Sequence, residues 1–265
     1  MILRTIRTAL RLIAVFCLST AVDAGQPLET ETARLPPAGA IEFESTVEYQ
    51  TSPDGNEFAV PLALAYGITD RLELLLEPVI YTRISPDVGN TESGIGDIET
   101  TLTYRLNDET ARLPAFAIAA EVKIPTASND VIGTGKADYA AYLIASKLFG
   151  NWDLHLNANY TVLGQPSGTS VSDTYGGAVA LEYHASPDWD FVGEYIATSS
   201  STGEVPDSGA PAPTGESVSE AAGGESFAML GMRYRIRENA QFALGVSYDN
   251  NSAWLIRPGI TFKFR

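Results

Sequence analysis

From position 41 onward, apolar and polar residues alternate one by one. Ile41, Phe43, Val47 and Tyr49 fall on one side, and Glu42, Glu44, Thr46, Glu48 and Gln50 on the other. A period of two over this length predicts a strand with one apolar and one polar face. The pattern returns at 58–66, 72–80, 97–105, 116–124, 152–160, 175–184 and 189–195, less regularly at 138–148, and again from about 226, 241 and 253. This predicts about twelve antiparallel strands.

Two features assign the apolar face to lipid rather than to a soluble core. Charge is nearly absent from it, Lys147 near a strand end being the exception. Aromatic residues gather at strand ends, with Tyr66, Tyr104, Trp152, Tyr183, Trp189, Tyr234 and Phe264 at one rim and Tyr49, Tyr139, Tyr160, Tyr175, Tyr195, Tyr248 and Trp254 at the other. An apolar band between two aromatic girdles is the surface of a transmembrane barrel, and tilted strands of about 9–11 residues cross a bilayer. The predicted fold is all-β, a transmembrane antiparallel up-and-down barrel; the rival is a soluble periplasmic β protein. Tight turns at 67–71, 149–151, 185–188 and 237–240 alternate with longer loops at 82–93, 126–136, 163–174 and 199–225. The first set is expected in the periplasm and the second outside. The long turn at 107–114 and the short loops at 51–57 and 250–252 break this rule. Closure supplies a register: if Lys263 faces Glu42, Arg257 faces Glu48, and opposite charges staple the seam from inside.

The N-terminus sets the compartment. Arg4, Arg7 and Arg11 precede a short apolar run, and Val22-Asp23-Ala24 fits a cleavage site, so residues 1–24 read as a secretory signal peptide. Residues 25–40, with Pro27, Pro36 and Pro37, read as a flexible periplasmic lead-in. The barrel occupies 41–265, with a long mobile outer loop at 199–225 rich in Ser, Gly, Pro and Glu. The location expected is the outer membrane of a Gram-negative bacterium. Cys17 is the single cysteine and lies inside the signal; a lipid-modified reading of it lacks the small residues required before such a cysteine. A net charge of −16 argues against nucleic acid as partner. Outer-membrane lipid is expected around the barrel, periplasmic chaperones and the barrel-assembly machinery during biogenesis, and an unidentified small solute within. No cofactor is expected.

Several segments resemble the outer-membrane family labelled "Putative MetA-pathway of phenol degradation". They are Gly94-Ile95-Gly96-Asp97 with Tyr104-Arg105, Glu121-Val122-Lys123-Ile124-Pro125-Thr126, and Gly133-Thr134-Gly135-Lys136-Ala137-Asp138. The hairpin 67–74 and the closing strand 258–264 extend the likeness over nearly the whole chain after the signal. The resemblance implies a barrel with a transport role, sometimes near genes for degrading aromatic compounds, and brings no catalytic residues with it. The chain departs from barrels that end on an aromatic residue, since Arg265 follows Phe264.

The candidate lumen-lining residues are the acids Glu42, Glu44, Glu48, Glu73, Glu77, Asp97, Glu99, Glu121, Asp153, Glu182, Asp190 and Glu194, the bases Arg105, Lys123, Arg233, Arg235, Arg257 and Lys263, and the histidines His155 and His184. Two readings stay open: an acid-biased pore favouring cations, or an interior network of ion pairs that fills the barrel. Either histidine could pair with a carboxylate or serine as a base, but a solvated lumen histidine is the simpler expectation. No nucleophile motif, phosphate loop or His-rich metal site is present. The function expected is a passive channel for small solutes, aromatic or hydrophobic ones by family analogy. A closed structural or adhesive barrel acting through its outer loops comes second, and an outer-membrane hydrolase last.

Overall fold

The computed structural model describes residues 26–166, 171–201 and 224–265. The signal peptide and most of the 199–225 loop, both read from the sequence, lie outside these residues.

The described chain is β throughout: β1 (Ile41–Thr46), β2 (Glu48–Ser52), β3 (Gly55–Thr69), β4 (Leu72–Pro86), β5 (Glu92–Gly94), β6 (Ile98–Asn107), β7 (Ala115–Ile124), β8 (Asp138–Phe149), β9 (Trp152–Val162), β10 (Thr174–His184), β11 (Trp189–Thr198), β12 (Ser226–Arg237), β13 (Ala240–Asp249) and β14 (Trp254–Phe264). Every pairing is antiparallel, and β1 pairs with both β3 and β14, which closes the sheet. The fourteen segments make twelve staves. β1 and β2 are one stave, interrupted at Val47. In the shared register Val47 faces Pro258, which has no N–H to return, so only Val47 N donates, at 3.0 Å. β5 and β6 likewise lie along one stave: β4 leaves β6 after Pro78 and picks up β5 at Thr82, beyond a bulge at Val60/Pro61.

The seam follows the register read from the sequence. Glu42 faces Lys263 and Tyr49 faces Ile256, so the alignment holds across the break at Val47. Lys263 Nζ lies 3.0 Å from Glu42, and Arg257 Nε 2.7 Å from Glu48. Outward faces carry exposed apolar side chains such as Leu64, Leu143, Tyr175 and Leu230. Aromatic pairs mark the rims: Trp152–Tyr183 at 4.5 Å and Trp189–Tyr234 at 4.7 Å at the short-turn end, and Tyr248–Trp254 at 4.8 Å at the other.

The N-terminal segment departs from expectation. Residues 26–40 are not a flexible lead-in outside the barrel. They enter the lumen at the short-turn end, with Leu28, Ala33 and Leu35 buried. Gly39 N donates to Gly67 O and Gly67 N to Ala40 O at the entry. Further in, Ala33 packs on Ala115, Ala117, Ala119 and Ile144, and Leu28 on Ala180, Val192 and Met229. Two small apolar clusters and a series of polar partners thus reward ordering that a solvated linker would lack.

Candidate functional site

The lumen has two unlike halves. On the short-turn end of β7 and on β8–β14 the wall is packed against the N-terminal segment. Arg233 grips Glu182 with two nitrogens at 2.7 and 3.1 Å, and its Nε donates to Gln26 O at 2.8 Å. His155 Nδ1 lies 2.8 Å from Ser146 Oγ and its Nε2 3.4 Å from Glu182. Ser146 Oγ accepts from Ala33 N at 2.9 Å. Asp153 pairs with Arg34, whose other nitrogen lies 2.6 Å from Glu109. Higher up, Glu194 accepts from Thr30 N at 2.9 Å and Thr30 Oγ1 at 2.7 Å. Asn157 exchanges hydrogen bonds with the Glu31 backbone at 2.7 and 2.9 Å. Arg257 reaches Glu29 at 2.5 Å as well as Glu48. Ser146, His155 and Glu182 are all 0% exposed, which a water-filled pore wall would not produce. The expectation of a solvated lumen histidine is therefore corrected for His155, because Ala33 and Arg34 roof it over. His184 is half-buried near the rim, its Nδ1 2.8 Å from Asp190.

On the opposite half, acid outnumbers base. Glu77 and Glu99 face each other directly across β4 and β6, an arrangement that like charges disfavour. Lys123 follows Glu99 on β7 and pairs with Asp138. Glu121 accepts from Tyr142 Oη at 3.1 Å and Thr101 Oγ1 at 3.2 Å. Glu73 is buried and Glu44 partly so. Asp97 Oδ1 accepts from Ala127 N at 2.9 Å and anchors the loop after β7. Asp138 also accepts from Gly164 N at 2.7 Å. At the short-turn rim Arg105 reaches Asp108 at 3.3 Å, and Arg235 shares the face of Arg233 without entering the packed network.

Sequence reasoning missed Gln26, Glu29, Thr30, Glu31 and Arg34, which hold the N-terminal segment to the lumen wall, and Ser146. The inward alanines Ala115, Ala117 and Ala119 were the available signal. They leave a channel beside β7 where a backbone can pass. The glycines at 67, 231 and 245 belong to the same pattern. A Cβ on Gly67 would meet Pro37 O at 2.3 Å, and one on Gly245 would meet Pro27 Cβ at 2.7 Å.

The two features that fit the outside least well meet at one place. Lys147, the charge that the sequence placed on the apolar face, lies 2.8 Å from Glu109 and 2.6 Å from Thr110 O in the long turn 107–114. Burial raises the Glu109 carboxyl, but hydrogen bonds from Lys147 Nζ, Leu148 N and Arg34 outweigh it and hold the group below its ordinary range.

A closed antiparallel barrel with a lipid-facing apolar belt, aromatic rims and its charge turned inward defines a protein of the outer membrane, built on the channel and porin plan. The chain belongs to the family described as "Putative MetA-pathway of phenol degradation", whose model matches residues 24–264. Among solved structures, the COG4313 outer membrane channel from Pseudomonas putida F1 is similar with a TM-score of 0.70 at 14% identity, covering 92% of this chain and 100% of its own. The NanC porin is similar at 0.58 and 11% identity, covering 84% and 100%. The KdgM porin in complex with disordered oligogalacturonate is similar at 0.55 and 10% identity, covering 84% and 99%. These likenesses concern the fold. A comparison with curated proteins found no match.

Proposed function

We propose that the protein is a passive outer-membrane channel for small solutes, closed in the conformation described here by residues 26–40 and cation-preferring when open. The observation that carries this reading is the asymmetry of the lumen. One half is sealed by a segment held through discrete polar contacts that can be released, and the other presents Glu77 opposite Glu99 without an intervening base. A low-dielectric wall bearing one sign of charge concentrates the opposite ion. The family description suggests small aromatic compounds as cargo. The chain reaches the membrane through its secretory leader, periplasmic chaperones and the assembly machinery.

The serine–histidine–carboxylate line Ser146–His155–Glu182 does not favour an enzyme. Ser146 is fully buried and already accepts from Ala33 N, so an acyl substrate has no approach while the segment is seated. The packed interior favours, as a second reading, a permanently closed barrel that acts through its outer loops.

Conductance in planar bilayers under a salt gradient tests the proposal. A variant lacking residues 26–37 is expected to conduct steadily and to prefer cations, and Glu77→Gln with Glu99→Gln to reduce that preference. A folded but silent deletion variant overturns the channel reading and leaves the closed barrel.

A further inference from the structure

A cleft of about 280 Å³ opens on the lipid-facing wall beside the short-turn rim, formed where the turn 107–114 stands away from the barrel. Its floor is apolar: Ala145, Leu154 and Leu156 from β8 and β9. Its rim carries Arg112 and Lys147. We infer that this cleft binds the headgroup of an anionic phospholipid from the periplasmic leaflet, with Arg112 and Lys147 on its phosphate and one acyl chain along Leu154 and Leu156.

Four observations point to this occupant. First, position: the cleft lies on the apolar belt next to the aromatic rim at Trp152, at the depth where headgroups meet acyl chains. Second, charge. In a chain of net charge −16, two cations converge on the outer wall at its short-turn end. Glu109 is shared between Lys147 and Arg34, and Arg34 also pairs with Asp153, so the charge left over at the cleft is that of Arg112; no ion pair or side-chain hydrogen bond reaches its guanidinium among the described residues. A guanidinium offers a planar fork that phosphate oxygens fit. Third, Lys147 uses Glu109 and Thr110 O, which leaves one of its three ammonium donors for a ligand, and its Nζ sits 5.8 Å above the Phe149 ring. Fourth, a charged side chain on a lipid-facing strand is costly unless it reaches the interface, and a headgroup phosphate offsets that cost. The inference rests on the membrane barrel and not on the channel reading, so conductance and lipid binding fail independently.

Native mass spectrometry of the purified full-length protein with phosphatidylglycerol, phosphatidylcholine of the same chains, and glycerol phosphate tests it. Wild type is expected to retain one phosphatidylglycerol in preference to phosphatidylcholine. Arg112→Gln is expected to weaken retention at least about tenfold, the effect of one lost charge-assisted hydrogen bond, and Arg112→Gln with Lys147→Gln to weaken it further. Among the described residues the Arg112 guanidinium has no ion-pair or hydrogen-bond partner to lose, so its variant should fold, which heat-modifiable gel migration checks. Equal retention by Arg112→Gln and wild type overturns the proposal. So does equal retention of phosphatidylcholine, or displacement by millimolar glycerol phosphate, which would mark a free-anion site.

Discussion

Arg34 is the strongest single tie between the N-terminal segment and the wall, so Arg34→Met is the sharpest perturbation of the closed state. Its guanidinium bridges Asp153 on β9 and Glu109 in the turn before β7, with side-chain exposures of 13%, 2% and 23%. Glu109 keeps Lys147 and Leu148 N after the substitution. Asp153 does not fare as well: the nearest side-chain nitrogen left to it is His155 Nε2, at 3.8 Å. Removing one partner of a buried pair costs about 3–5 kcal/mol, because the other charge is left dry. With Arg34 partly exposed, roughly 3 kcal/mol falls on the seated state. A withdrawn segment lets Asp153 hydrate, so that state is spared. At about 1.4 kcal/mol per tenfold, the ratio of withdrawn to seated segment should rise about a hundredfold. Open probability in planar bilayers reads this directly. Arg34→Met with Asp153→Asn removes the stranded charge and should return most of the closure. An Arg34→Met protein that is heat-modifiable yet opens no more often than wild type refutes the reasoning, as does a double variant that opens as often as the single one.

Other consequences follow from the same contacts. Gly67→Ala places a Cβ against the Pro36 and Pro37 carbonyl oxygens, which belong to backbone and cannot rotate away; the segment should shift at its entry, at a cost of about 1–3 kcal/mol, and leak current should rise with little change in barrel melting. At the seam, Lys263→Glu should lower the heat-modification midpoint by a few degrees at most, since the Lys263 side chain is 36% exposed and such a pair is worth about 1 kcal/mol or less, and Glu42→Lys should restore it; a purely additive loss would mean the pair does not interact. Glu109 has a folded pKa below its unfolded value, so its contribution is present above the ordinary carboxylate range near 4.3 and is lost as pH falls through the folded value. Amide protection factors in the turn 107–114, referred to the intrinsic exchange rate at each pH, should therefore fall as pH is lowered below about 4, and unchanged protection would show that Glu109 does not hold the turn.

The barrel was legible because a strand couples sequence parity to a face, and each charge on the polar parity could be placed without knowing its partner. The seam was legible for the same reason: once Lys263 faced Glu42, the antiparallel register put Arg257 opposite Glu48, and the interruption at Val47 did not shift it. The N-terminal segment has no such coupling. Its contacts are aperiodic and connect residues as far apart as Pro27 and Arg257, so nothing local in Pro27, Glu29 or Arg34 distinguishes a lumen plug from a solvated linker. The informative residues lay on the wall instead. Inward alanines on β7 and glycines at 231 and 245 are too small to fill a twelve-stave barrel, and the missing volume belongs to the segment. Lys147 and the turn 107–114 were each visible as irregularities, but their relation became visible only when Glu109 was found between them.

The distribution of charge within the lumen also bears on what opening would do. Seated, the segment places Arg34 on Asp153 and Thr30 on Glu194, while Glu29 shares Arg257 with Glu48. Withdrawal removes Arg34 and Thr30, and with them the acids Glu29 and Glu31, and uncovers the wall carboxylates Asp153 and Glu194. Arg257 loses Glu29 but keeps Glu48, and Arg233 keeps Glu182. The β8–β11 wall would then join the Glu77–Glu99 side as acid-lined surface. Open and closed forms would differ in selectivity as well as in bore: any residual leak past the seated segment should discriminate between ions less than the deletion variant does. Reversal potentials under one salt gradient compare the two, and a deletion variant less cation-selective than the wild-type leak would show that the acids lost with the segment, Glu29 and Glu31, outweigh the wall carboxylates it uncovers.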